Sequence, residues 1–129
     1  MSIEWTKIHN FKPEEFERPD LLRWDMLYQL DQLREMVGFP LKITSSFRTA
    51  EHNATLPTAA QDSAHLADPT DGEYSGVDIA VNNAHEMFSL LKAFFKMDFG
   101  CRLGIYPAHL HLDIESRLPQ GVAWVGKDS

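Results

Sequence analysis

The chain has 129 residues, 43% of them hydrophobic and 24% charged, and a net charge of −7. This length suits a single domain over 1–129 with a real core. The acidic balance excludes nucleic acid as a partner, because phosphate binding needs clustered Lys and Arg, and the lone Cys101 excludes an intrachain disulfide framework.

In chain order, residues 9–19 read as a wrapped-on segment with a short turn of helix. Asp20, after Pro19, reads as an N-cap. Leu21, Trp24, Leu27, Leu30, Leu33 and Val37 follow at three- and four-residue steps and predict an amphipathic helix that Gly38 ends. Leu41-Lys-Ile-Thr-Ser alternates as a strand does, and Ser46 to Asn53 turns into a short helix capped by Thr49. The longest loop, about 56–75, is rich in Pro, Asp, Ser and Gly. Val77 to Val81 is a second strand with Val77, Ile79 and Val81 on one face and Asp78 on the other. Asn83 and Glu86 form a capping box for a helix whose apolar face is Met87, Leu90, Leu91, Phe94 and Phe95, ended by Gly100. Leu103 to Tyr106 and His109 to Ile114 are the last predicted strands. The fold class is α+β: a small, mostly antiparallel sheet packed by two main helices.

The most apolar helix is interrupted by Ser89, Lys92 and Lys96, so no membrane insertion is expected. The opening Met-Ser-Ile-Glu-Trp-Thr-Lys has no basic segment followed by an apolar run, so synthesis in the cytoplasm is expected.

Three pieces carry the polar chemistry: Ser63-Ala64-His65-Leu66, Ser75-Gly76-Val77-Asp78-Ile79 and His109-Leu110-His111-Leu112-Asp113. Imidazoles and a carboxylate on short elements are the donors of a catalytic zinc site, in which three protein ligands leave the fourth position open. Period two puts His109, His111 and Asp113 on one face of their strand. With no thiolate in the set, a bound Zn²⁺ would remain a strong Lewis acid. His9, His52 and His85 belong to no constellation and read as structural or exposed. Cys101 reads as a small buried hydrophobe, and Trp5, Trp24 and Trp124 as packing residues, with Trp124 placed to help cover the site.

Together with Ser45-Ser46-Phe47-Arg48-Thr49, these pieces resemble the M15 zinc peptidases, the D-alanyl-D-alanine carboxypeptidases and related peptidoglycan endopeptidases, including phage lysins. The likeness runs in order from Phe-Lys-Pro-Glu-Glu-Phe to Pro119-Gln-Gly-Val-Ala-Trp124. It implies the fold shared with the hedgehog signalling domain and one Zn²⁺ held by His65, Asp78 and His111. It also implies hydrolysis of peptidoglycan stem peptides or muropeptides through a zinc-activated water. Arg48 would bind the substrate carbonyl or carboxylate, with Ser63 also on the substrate side. His109 would assist proton transfer, and Asp113 would orient a ligand imidazole. The resemblance also implies action at the cell wall after release, as a phage lysin or virion part.

The sequence departs from the family pattern twice. Twelve residues separate His65 from Asp78 where the pattern has six, and the excess, Asp68 to Tyr74, is loop-like. Three residues before His111, where many members carry an acidic general base, stands Ala108. Catalysis would then rest on His109 or on an acid such as Asp68, Asp71 or Glu73. Ala108 also favours an alternative reading: a catalytically inactive zinc-binding module of the same fold, such as a phage tail component.

Overall fold

The computed structural model describes residues 3–55, 63–69, 71–97 and 102–127. The main helices are α1 (Trp24–Val37) and α3 (Ala84–Met97), with the short α2 (Ala50–Thr55) between them in sequence. The strands are β1 (Ile43–Ser45), β2 (Gly76–Ala80), β3 (Arg102–Ile105), β4 (His109–Asp113) and β5 (Val122–Val125). They form one sheet in the order β1-β2-β4-β3-β5, antiparallel except for the β3–β5 pair. The α+β class and mostly antiparallel sheet thus match the sequence expectation.

Period-two alternation divides the labour of the sheet. Val77, Ile79, Leu103, Leu110 and Leu112 are buried on one face with Leu27, Leu30 and Leu33 of α1 and Leu90 and Phe94 of α3. Burying each such side chain contributes about 2 kcal/mol. The opposite face carries Asp78, His109, His111 and Asp113, all buried. The hydrophobic layer therefore supports the polar one from behind.

The N-terminal segment does wrap onto α1. It forms 3-10 turns at Trp5–Lys7, Pro13–Glu15 and Pro19–Leu21, with Phe11 and Phe16 buried. Asp31 on α1 ties it down by accepting from the backbone N–H groups of His9 (3.1 Å) and Asn10 (2.8 Å).

Several expectations need correction. Asp20 is not the N-cap of α1; it lies in the 3-10 turn, forked by the Arg18 guanidinium at 3.0 and 2.8 Å. The helix starts at Trp24 because Leu22 is drawn into a bridge with Tyr74. Tyr74 N–H donates to Leu21 O and Arg23 N–H to Tyr74 O, which holds the intervening backbone extended. Asp25, an acid in the first turn, accepts from Met26 N–H, one of the amides that the helix start leaves without a backbone partner. The core stripe of α1 consequently falls on Met26, Leu27, Leu30 and Leu33, and Trp24 is 43% exposed. On α3, Phe95 is 67% exposed and packs edge-on against Phe94. Glu86 bonds the backbone of Asn82 rather than Asn83, while Asn83 caps Glu86 N–H. Thr49 accepts from His52 N–H as the cap of α2, and Gly38 closes α1. The structure adds β5, a strand beyond those the alternation predicts. The Gly100 helix end and Cys101 lie outside the described residues. No helix among the described residues is long and apolar enough to cross a membrane.

Tyr74 joins the loop, α1 and the N-terminal segment. It is fully buried, and its hydroxyl donates to Glu17 O at 2.7 Å. Burial pushes this phenol up from 10.0 to about 12. Folding therefore favours the neutral form, so its stabilisation is complete below pH 10 and is lost as the pH rises toward about 12. Tyr74→Phe should cost about 1 kcal/mol at neutral pH through the lost hydrogen bond and flatten the alkaline fall in stability. Urea unfolding across that range checks this, and an unaltered alkaline limb would refute it.

Candidate metal centre

The turn that carries His65 is stitched to the start of β2. Ala64 O accepts from both Ser75 N–H (3.2 Å) and Gly76 N–H (3.0 Å). The contact is so close that a Cβ on Gly76 would stand 2.8 Å from that of Ala64, which is why glycine occupies this position. The sequence between them loops out and back, with Asp68 N–H on Glu73 O and Gly72 N–H on Asp68 O, both at 2.7 Å. The long spacing between His65 and Asp78 is thus absorbed in an excursion that leaves both residues adjacent. Asp78 pairs directly with His111 across β2 and β4.

Ligand atoms of His65, Asp78 and His111 all lie within 4.8 Å of one another, and all three residues are buried. His65 Nε2 is 3.2 Å and His111 Nδ1 3.0 Å from Asp78 Oδ1. The far nitrogen of each ring is anchored. His65 Nδ1 donates to Ser46 O at 2.5 Å; a carbonyl can only accept, so the proton must be on Nδ1. His111 Nε2 lies 2.6 Å from Asp113 Oδ2, and Asp113 in turn takes the Arg102 guanidinium at 3.0 Å and Glu115 N–H at 3.0 Å. With both far nitrogens carrying protons, two imidazole lone pairs and a carboxylate oxygen face a single point. Such a set calls for a cation, and donor separations of 3.0 and 3.2 Å sit near the about 3.3 Å that tetrahedral zinc bonds require. The residues present therefore fit a zinc ion.

The electrostatics agree. Burial opposes the charge of Asp78, but the His111 and His65 imidazoles beside it outweigh that and hold the carboxyl well below its usual range. Burial lowers His65. Burial also works against a charged His111, yet the Asp113 and Asp78 carboxylates overcome it and raise that imidazole above the ordinary value.

The second oxygen of Asp78 faces two further groups. Arg48 Nη2 and His109 Nε2 each lie 3.8 Å from Oδ2. Arg48 is held from behind by its Nη1 on Asn53 Oδ1 (3.2 Å) and by its backbone N–H on His65 O (2.9 Å). His109 is lowered by burial, partly offset by Asp78 and reinforced by His111, His65 and Arg48. Ser63 is buried, and its hydroxyl accepts from His65 N–H at 3.2 Å, so it braces the ligand turn. Ala108 is exposed. Asp71 pairs with Arg23 at 2.7 Å and Asp68 with Arg117 at 3.4 Å, which ties both acids to arginines outside the cluster. His9, His52 and His85 are exposed.

Sequence reasoning missed Arg102, which neutralises Asp113, and Tyr106, which stacks on His109 with centroids 4.3 Å apart. Trp124 lies 5.6 Å from the His111 ring. The pairing of Arg102 with Asp113 was hidden because it depends on strand register.

The Peptidase M15 family model matches residues 7–113, and the chain belongs to that family. The matched span contains all of β1 to β4 and ends before β5. No curated protein matches the chain.

Because a proton and a metal compete for His111 Nδ1, zinc retention should weaken as pH falls through the His111 titration. Against the effect of burial, the Asp113 and Asp78 carboxylates raise that titration, so the apparent zinc affinity should begin to fall above the ordinary histidine range. Zinc titrations at stepped pH check this. An apparent zinc affinity that stays constant until the carboxylates protonate would contradict the ligand assignment.

Proposed function

We propose that the chain is a zinc-dependent peptidase that hydrolyses peptide bonds in peptidoglycan stem peptides by a zinc-activated water. The observation that carries this reading is the convergence of His65 Nε2, Asp78 Oδ1 and His111 Nδ1 on one point, in a chain of the Peptidase M15 family. Zinc bound there would supply Lewis acidity and lower the pKa of a bound water to about 7.

The remaining roles follow from placement. Arg48 is a cation beside the ligand cluster, pinned by Asn53, and its guanidinium suits the carbonyl oxygen or carboxylate of a peptide substrate. Its charge would stabilise the oxyanion that forms as the carbonyl is attacked. His109 is kept neutral by burial, so its Nε2 accepts a proton during attack and returns it to the leaving amine. Asp113 and Ser46 O hold the ligand rings in the tautomers that direct their lone pairs inward. The substrate is a muropeptide, and the setting is the cell wall, reached after release from the cell.

A second reading rests on Ala108. With no carboxylate at that position, the domain would bind zinc and peptide without cutting, as a structural or binding module of a phage tail. Two experiments decide. Elemental analysis should find stoichiometric zinc in the wild type and its loss in His65→Ala and His111→Ala; wild-type protein that takes up no zinc would exclude both readings. Zinc-loaded protein incubated with muropeptides should release products visible by mass spectrometry. An intact substrate with zinc still bound would leave the non-cutting module.

His109→Ala should retain zinc and lower kcat about 100-fold. Loss of the metal instead would show that the two histidines of β4 have exchanged roles.

A further inference from the structure

Two rows of residues cross the polar face of the sheet. In the first, Asp78 pairs with His111, His111 with Gly104 and Gly104 with Trp124. In the second, Ala80 pairs with His109, Tyr106 N–H donates to His109 O at 3.0 Å, and Gly126 N–H returns to Ile105 O at 2.8 Å beside it. Large side chains stand next to missing ones. A Cβ on Gly104 would lie 2.7 Å from the Trp124 indole, and one on Gly126 would overlap the Tyr106 ring. The two glycines thus let the indole lean across β3 and the phenol lie flat in the neighbouring row.

The two aromatic residues are linked. Trp124 Nε1–H donates to the Tyr106 hydroxyl at 3.0 Å. Tyr106 covers His109 face to face, 4.3 Å between centroids and 8° between planes. On its other side, Trp124 lies 5.1 Å from the Arg102 guanidinium carbon, and Arg102 holds Asp113 behind His111. One indole therefore connects the backing of both β4 histidines.

We infer that Tyr106 and Trp124 are positioning residues for His109, with β5 serving as the strand that delivers the indole. This inference rests on the reading of His109 as the proton acceptor. His109 Nε2 has no contact closer than 3.8 Å to Asp78 in the ion-pair geometry, so the carboxylate alone holds the ring weakly. A stacked phenol removes the rotamers in which the imidazole swings away, and the indole hydrogen bond fixes the phenol. Displacement of a catalytic group by about 1 Å can cost about 100-fold in rate. The family match ends at residue 113, so Tyr106 and His109 lie inside the matched span and the Trp124 tether on β5 lies beyond it.

The test separates positioning from plain packing. His109 ring-proton resonances in the zinc-loaded wild type should be shifted upfield by the stacked phenol. Tyr106→Leu should abolish that shift, keep zinc and the folded circular-dichroism spectrum, and lower kcat about tenfold with KM within about twofold. Tyr106→Phe should keep the shift and hold kcat within about threefold of the wild type, since it retains the ring and loses only the tether. Trp124→Phe should lower kcat at least about threefold with zinc retained, because the tether to the phenol is lost together with part of the indole's contact with Arg102. Unchanged kcat in Tyr106→Leu, a wild-type spectrum with no upfield shift, or equal losses in Tyr106→Leu and Tyr106→Phe would each overturn the inference. So would loss of zinc or fold in Tyr106→Leu, with Tyr106→Phe no better, since that marks a merely structural residue. If the wild type cuts no muropeptide, the proposed function fails. The resonance shift and its response to Tyr106→Leu would still decide whether the phenol fixes His109.

Discussion

The buried carboxylate of Asp78 is the constraint around which this molecule is arranged. Taking an ionised carboxylate out of water costs several kcal/mol unless it is paired, and here both oxygens are engaged. One faces His65 and His111 at hydrogen-bonding distance, and the other faces Arg48 and His109 at 3.8 Å. The four partners come from three separate stretches of the chain: Arg48, His65, and the His109/His111 pair of β4. Removing any of them leaves charge in a low-dielectric setting without its compensation, so the loop, the turn and the strands around the site are coupled through one side chain.

Rigidity reaches this carboxylate from two directions. Behind the sheet, α1 and α3 pack on Val77, Ile79, Leu110 and Leu112, whose alternation with Asp78, His109 and His111 fixes which way each polar group points. Around the site, a second set of contacts sets the rings themselves: Ser46 O on His65, and Asp113 with Arg102 on His111. Donor groups held this way do not need to reorganise when a cation arrives. The buried network that continues through Glu115, Ser75 and Arg117 extends the same bracing away from the ligands.

Local patterns were legible where local physics decides. The spacing of Leu27, Leu30 and Leu33 marks α1, Gly38 ends it, Thr49 caps α2, and Val77-Asp78-Ile79 alternates as a half-polar strand does. Long-range pairing overrode local preference elsewhere. Asp20 has the chemistry of a cap, but the bridge between Leu22 and Tyr74 pulls the preceding backbone into an extended path and moves the helix start to Trp24. Phe95 falls on a helical apolar stripe, yet it stays exposed and packs edge-on against Phe94. The exposed edge strand β5 lacks inward alternation, and it pairs in parallel with β3 rather than with its sequence neighbour β4.

The sequence by itself determined the donor types, the α+β class and the family, because imidazole and carboxylate chemistry and hydrophobic periodicity are properties of residues and their neighbours. Only the tertiary structure decided which atoms face one another. Ala64 must accept from Ser75 and Gly76 for His65 to reach Asp78 across twelve intervening residues, and Gly104 must lie between His111 and Trp124 for the indole to approach the site. Those relations depend on strand register and loop closure, which are set by the whole sheet and by no single segment of the chain.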